Sequence, residues 1–477
     1  MFTMENTMSN NQREILSSSD IQSIHDTSMK LLANEGIRFP EDEAIDIFKK
    51  NGVKVNGQTV YLTEKQVMDA VEQVPSQFTI QARNPDKSII VGDGEPVFAP
   101  GYGAPFVIDY EEGKRSPTME DYHNLVKLAH ALPNQDMSGH LLVEPGDVSS
   151  DTAHLEMLYA SMVHSDKPFI GSTEGKEGAL HTMEMAEILF GKKMEQPFTV
   201  GLINPLSPLG YGTDMIEATI AYARARQPLI IAALIMAGST GPITLSGVVA
   251  LQNAELLAGI TLTQLVSPGT PAIYGSTSTN IDMRTGALAL GGPECSLYIK
   301  VHAQLARHYG LPTRAGGALT DSSTVDAQSG YESMFSMLTT INSGIDFVLH
   351  AGGILGSYLA FSYEKFVMDD ELCGMMRHYT KGIDVNPKTL AYDIIAKVGA
   401  GGHFLGEDHT LDRCRTEFWQ PNLSDRSGIE AWWGGEQLDA AARARQRWQD
   451  LLAEHEDPRM DKTTRRQLQT YVAAQTE

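Results

Sequence analysis

Between residues 96 and 380 the chain alternates short apolar or β-branched runs with longer amphipathic stretches, and this alternation restricts the fold more than any other feature. The runs are VFAPGYGAPFVID, MSGHLLVEPGD, KPFIGSTEG, FTVGLINPLSP, PLIIAALIMAGSTGP, PAIYGSTSTN, LPTRAGG and DFVLHAGG. Between them lie segments such as DTAHLEMLYASMV, ALHTMEMAEILFG and STVDAQSGYESMFSMLTTIN, whose apolar residues recur at helical spacing. About eight strands in strict alternation with helices predict an α/β protein, a (β/α)8 TIM-type barrel. A doubly wound open sheet is the alternative. It is disfavoured because no GxGxxG turn follows an early strand, and GYGAPF at Gly101 lacks both the third glycine and the following helix.

The barrel is predicted over residues 96–380, with an N-terminal α+β region over 1–95 and a C-terminal helical extension over 381–477. Residues 1 to about 17 read as a polar, mobile tail. Ser19 or Asp20 is expected to cap the next helix, whose apolar side carries Ile21, Ile24, Met29, Leu31 and Leu32. Strand-like pieces VKVNG, TVYLT, FTIQA and SIIVG surround a helix, EKQVMDAVEQV. The extension combines helices with a long loop bearing Gly, Pro and Trp, a kind of segment that wraps a barrel or builds an oligomer contact. A homo-oligomer is expected.

A net charge of -23 argues against nucleic acid as a partner, because phosphate binding needs clustered Lys and Arg. The three cysteines are far apart, which excludes a disulfide framework and argues against a Cys-rich zinc site. The N-terminus lacks the apolar run of a signal peptide, and Pro228 to Ala237 is too short to span a bilayer. A cytoplasmic protein with no membrane contact is expected.

Active sites of such barrels form where strands end. Those positions are rich in Gly, Ser, Thr and Pro here, which predicts a wide mouth able to admit a large planar group. Four larger polar residues stand among them. Arg314 either presents its planar fork to a carboxylate or pairs with a barrel acid. His350 shares the Ala-Gly-Gly tail of Arg314 on the next strand, which places both toward one pocket; alone, it reads as a core histidine satisfied by backbone. Asn204, before a proline, is a turn starter or a pocket amide. Tyr102 sits between glycines and can offer its face to a quaternary ammonium, a contact worth ~2 kcal/mol when desolvated. Phe106, Tyr358 and Phe361 would complete an aromatic cage, or simply pack. Glu255 is either buried near the mouth or, the preferred reading, on a solvated helix face, and Asp321 and Asp326 read as loop and helix-cap residues. No HExxH, Cys-His cluster, P-loop, GxSxG or acid–base dyad is present, so no intrinsic metal and no side-chain nucleophile are expected.

At LLANEGIRFP, APGYGAPFVIDYEEGKRSPTMEDY, GLINPLSPL, LQNAELLAGI, PAIYGSTSTNIDMRTGA, RAGGALTDSSTVDAQSGYES and FSYEKFVMDDELCGMM the chain resembles the trimethylamine methyltransferase family. These stretches cover most of residues 30 to 380. The resemblance implies a barrel enzyme that moves a methyl group from a methylamine to the cobalt(I) of a corrinoid, held by a separate cognate protein. Members acting on trimethylamine carry pyrrolysine in the pocket. This chain has only standard residues, so it is similar to the branch that demethylates glycine betaine. Proline betaine, carnitine and γ-butyrobetaine are the alternative donors. By resemblance, Arg314 and His350 fall where the substrate carboxylate is held, and Asn204 and Tyr102 near the ammonium and the corrinoid face. A quaternary nitrogen leaves as a neutral amine, so the missing acid–base machinery is expected under this reading. A hydrolase or lyase barrel would need an acid–base pair at the mouth, and a non-catalytic binder of small cations would bind without transfer.

Overall fold

The computed structural model describes residues 14–193 and 196–476, so most of the expected N-terminal tail lies outside the described residues. The first helix, Ser18–Asn34, is capped by Ser17 rather than by Ser19 or Asp20. The Ser17 hydroxyl accepts the Asp20 amide at 3.2 Å and the Asp20 carboxylate accepts the Ser17 amide at 2.9 Å. That reciprocal box places the acid inside the first turn.

Seven parallel strands form one sheet: β1 (Val97–Phe98), β2 (Phe169–Ile170), β3 (Thr199–Ile203), β4 (Leu229–Ala233), β5 (Ala272–Ser276), β6 (Thr313–Gly316) and β7 (Phe347–Leu349). Their order is β1-β7-β6-β5-β4-β3-β2. The gap between β2 and β1 is closed by extended residues 136–139. There the Asp136 amide donates to the Phe98 carbonyl at 2.8 Å, Ser138 to Pro168 at 2.9 Å, and Ile170 to Gly139 at 3.2 Å. This segment is the eighth stave, and it matches the run MSGHLLVEPGD.

Period-2 alternation sorts the strand residues. Val200, Leu202, Ile230, Ala232 and Ile273 fill the barrel interior, whereas Ile203, Leu229, Ile231 and Ala233 pack outward against helices. An antiparallel hairpin, Phe78–Ile80 with Ile89–Val91, joins the interior cluster. The Gln81 amide just beyond its first strand donates to the Pro197 carbonyl, ahead of β3, so the hairpin plugs the barrel floor. The opposite end, where the strands finish, stays open.

The helix Leu245–Val266 follows β4 and is apolar around nearly its whole circumference. It is long and apolar enough to cross a membrane, but 83% of its apolar window is buried inside the fold. The N-terminal helices Ser18–Asn34 and Glu64–Val71 lie over it, which explains that composition. At the other end, helix Ala440–Ala453 packs on helices Tyr363–Thr380 and Met119–Ala131, and Lys462–Thr476 packs on Ser150–His164 and Gly175–Phe190.

Candidate functional site

The open end of the barrel holds a cavity of about 440 Å³ lined by Tyr102, Leu202, Asn204, Arg314, His350 and Tyr358, among others. Grooves of about 500 and 630 Å³ lie on the outer surface, along the Phe106–Arg115 hairpin and along helices Gly175–Phe190 and Thr213–Arg224. Neither groove touches the strand ends.

Arg314 stands on β6 with its side chain 1% exposed. Its Nη1 donates to the Ser276 carbonyl at 2.9 Å, and Nε has no partner. Among the described residues no carboxylate lies within ion-pair distance, so the barrel-acid reading does not apply. Burial alone pulls its pKa down to about 10. A buried cation without a counter-charge is costly, because desolvation is not repaid by pairing.

His350 follows β7 with φ 58°, in the left-handed region, and Ser357 and Tyr358 nearby have φ 55° and 75°. Non-glycine residues held there cost on the order of 1–3 kcal/mol each and concentrate at functional sites. The Tyr102 amide donates to His350 Nδ1 at 3.2 Å, so the neutral ring carries its proton on Nε2. Burial, and then the Arg314 cation, hold the imidazole well below its ordinary pKa. His350 is therefore a neutral donor beside a cation. The Tyr358 ring lies 4.6 Å from the His350 ring, and its buried hydroxyl has no partner. The turn that carries it is held by Asp321, which accepts the Ser357 hydroxyl at 2.7 Å and the Leu290 amide at 2.7 Å. Asp326 caps the helix Ala327–Ser343, as its sequence position predicts.

Asn204 directly follows β3. Its Nδ2 donates to the Ala232 carbonyl at 2.6 Å, which leaves Oδ1 as the free end. Tyr102 forms a wall shared with a second cavity of about 480 Å³, lined also by His140, Thr173, Glu174 and Asp214. Desolvation, and then Asp214, push the Glu174 carboxyl up. His140 Nδ1 is buried and unpartnered. The mouth thus carries a cation at one side and two carboxylates at the other.

Phe106 and Phe361 do not belong to the cavity, which corrects the four-ring cage. Phe361 is fully buried, with its ring over Gly353 and Gly101. Phe106 lies in the Phe106–Arg115 hairpin under the Lys114 ammonium, 3.6 Å from the ring centre. Glu255 takes the buried one of its two sequence readings, against the preferred solvated face. It is fully buried, accepting the Ser207 hydroxyl at 2.7 Å and the Leu209 amide at 2.8 Å, and burial pushes its pKa up to about 7. It fixes the loop that carries Asn204, Leu206 and Ser207 into the cavity wall. Among the described residues, metal-ligand spacing occurs at His164, His455 and Asp457, where Asp457 already pairs with His164 at 2.6 Å and Arg465 at 2.9 Å.

The family model for trimethylamine methyltransferase (MTTB) matches residues 3–477. The chain is 48% identical to a glycine betaine methyltransferase of Desulfitobacterium hafniense (strain Y51), over 96% of both chains. It is 32% identical to a proline betaine:corrinoid methyltransferase of Eubacterium limosum, covering 86% of this chain and 87% of that one. An L-carnitine:corrinoid methyltransferase of Eubacterium limosum is 30% identical, covering 92% and 93%. The crystal structure of the Methanosarcina barkeri monomethylamine methyltransferase shares the fold at a TM-score of 0.51 and 13% identity, over 93% of this chain and 94% of that one.

Proposed function

Because the chain belongs to the trimethylamine methyltransferase family, we propose that it moves a methyl group from a zwitterionic quaternary amine, glycine betaine first, to the cobalt(I) of a corrinoid carried by a separate protein. The observation that carries this reading is the buried Arg314 guanidinium with no carboxylate of the described residues beside it. A fold keeps such a charge where a ligand supplies the missing anion. The free edge of the guanidinium, Nε2–H of His350 and the orphan hydroxyl of Tyr358 form a donor set for a carboxylate. Across the mouth, Asn204 Oδ1, the Tyr102 ring and the carboxylates of Glu174 and Asp214 suit a trimethylammonium group. This charge layout is that of a betaine and not of a neutral amine.

The chemistry asks little more of the protein. Cobalt(I) supplies the electron pair for the new cobalt–carbon bond. The carbon–nitrogen bond breaks with its pair remaining on nitrogen, and dimethylglycine departs as a neutral amine before any proton is taken up. No general acid is needed, because the leaving nitrogen begins with a full positive charge. The protein aligns the methyl carbon and limits water.

Exposed Leu206, Ile243, Met283 and Leu359 ring the open end, each on a different strand-to-helix connection. A discontinuous apolar rim of that kind suits a partner that docks and leaves, as a corrinoid carrier must. The protein would work in the cytoplasm as a homo-oligomer. Mixing it with glycine betaine and reduced cobalamin should produce methylcobalt, read by absorbance, with dimethylglycine in equal amount. No methylcobalt with glycine betaine, proline betaine, carnitine or γ-butyrobetaine ends this reading.

A further inference from the structure

Three short helices follow the barrel: Tyr392–Val398, Asp408–Arg413 and Ile429–Gly434. They contain seven, six and six residues, and none buries a single side chain. Between Ile383 and Trp433 eleven large apolar side chains are exposed among the described residues, from 44% at Phe404 to 90% at Ile383. The segment is tied to the body in its last third. Glu371, on the helix Tyr363–Thr380, accepts the amides of Asn422 and Ser424 at 2.8 Å and that of Leu423, and Arg443 Nε donates to the Leu423 carbonyl at 2.9 Å. Nine of the eleven exposed apolar side chains precede this staple and two, Ile429 and Trp433, follow it.

Helices this short do not hold in water by themselves; isolated helices below roughly 12–15 residues are marginal even with favourable sequences. Their order must come from packing, and among the described residues none of the three helices buries a side chain against the body of the protomer. Eleven side chains at ~100 Å² each amount to on the order of 1,000 Å² per copy, above the ~800 Å² per partner of a standard stable interface. An apolar surface of that size is larger than a free protomer carries without consequence.

We infer that residues 382–438 are an arm that packs onto a second copy of this chain. The choice of a second copy rests on the functional reading in one respect: a corrinoid carrier must leave after each transfer, and so cannot cover permanently a surface that needs permanent cover. Another copy is present whenever the chain is. The rim at the barrel mouth and the arm are thus separate surfaces, one for a transient partner and one for a lasting one.

The test uses the full chain purified without any corrinoid protein, analysed by sedimentation velocity at micromolar concentration. The wild type should be a dimer or larger, and Val385→Asp/Leu405→Asp/Leu411→Asp should shift it to protomers with unchanged far-ultraviolet circular dichroism. These positions are exposed in the protomer, so the charges cost its folding little. Hydrogen exchange of the wild type gives an independent readout, with the amides of Tyr392–Val398 protected at least tenfold over an unstructured segment. A monomeric wild type, a wild type that associates only when corrinoid protein or lipid vesicles are added, or a variant that stays fully assembled would each overturn the inference. So would unprotected arm amides. An assembled wild type that forms no methylcobalt from any betaine would instead count against the functional reading alone.

Discussion

Replacing Arg314 by Met removes the charge while keeping most of the stem that fills β6's side of the barrel. Nη1 is committed to the Ser276 carbonyl, so the guanidinium offers its remaining edge, Nε and Nη2, to a carboxylate. Truncating one partner of a buried, hydrogen-bonded charge pair costs about 2–5 kcal/mol, and a two-pronged contact in this buried place belongs in the upper half. At ~4 kcal/mol, kcat/KM for glycine betaine should fall about a thousandfold. Tetramethylammonium presents the same leaving group without a carboxylate, and its transfer rate should change less than about threefold. Stability should move the other way. The guanidinium is held at a pKa of about 10 against an ordinary 12.5, which corresponds to roughly 3 kcal/mol of burial cost. Losing the Ser276 contact returns ~1 kcal/mol of that. A net gain of ~2 kcal/mol should raise the Tm of a chain this size by about 2 °C. The assay is methylcobalt formation with each donor beside a thermal melt without ligand. Equal loss on both donors, or a melting point lowered by several degrees, would refute the anchor and make Arg314 a structural residue.

Three further outcomes follow from the same geometry. Tyr358→Phe should raise KM for glycine betaine about tenfold, the worth of one hydrogen bond to a charged group, and leave tetramethylammonium unaffected. Glu255 has a folded pKa of about 7 against an ordinary 4.5, so the folded chain retains a proton that the unfolded chain has lost, and stability falls by up to about 3 kcal/mol as pH rises through that window; Glu255→Gln should melt with the wild type at pH 4.5 and above it at pH 8, and a parallel pH dependence of the two would contradict this. Ile243→Asp, on the rim but not in the cavity wall, should raise KM for the corrinoid protein at least tenfold while transfer to free cobalamin stays the same.

The barrel was legible because a strand-to-helix alternation leaves a periodic trace, and each of the eight runs supplies one stave. Arg314 and His350 were legible from their shared Ala-Gly-Gly tails on successive strands, which only adjacent strand ends bring together. What escaped depends on contacts far apart in sequence. Phe106 looked like part of the first strand's mouth, but β1 ends at Phe98 and the chain leaves the barrel for a separate sheet. The solvated face was preferred for Glu255 because nothing local says that the loop carrying Ser207 and Leu209, more than forty residues earlier, folds over its carboxylate. Glu174 and Asp214 left a faint signal, an acid in the STEG tail of one strand and another shortly after the next. Their common cavity needs the curvature of the whole barrel. The capping of the first helix was misread by two or three residues because a serine three before an acid is the box, and three serines in a row hide it.

A structure of the protein crystallised with glycine betaine tests the central claim most directly. The account predicts the carboxylate against Arg314 Nε or Nη2 and the Tyr358 hydroxyl, with the trimethylammonium group toward Asn204 and Tyr102 and one methyl facing the open end. Betaine lying in the reverse sense, or bound outside the Arg314 cavity altogether, would contradict it.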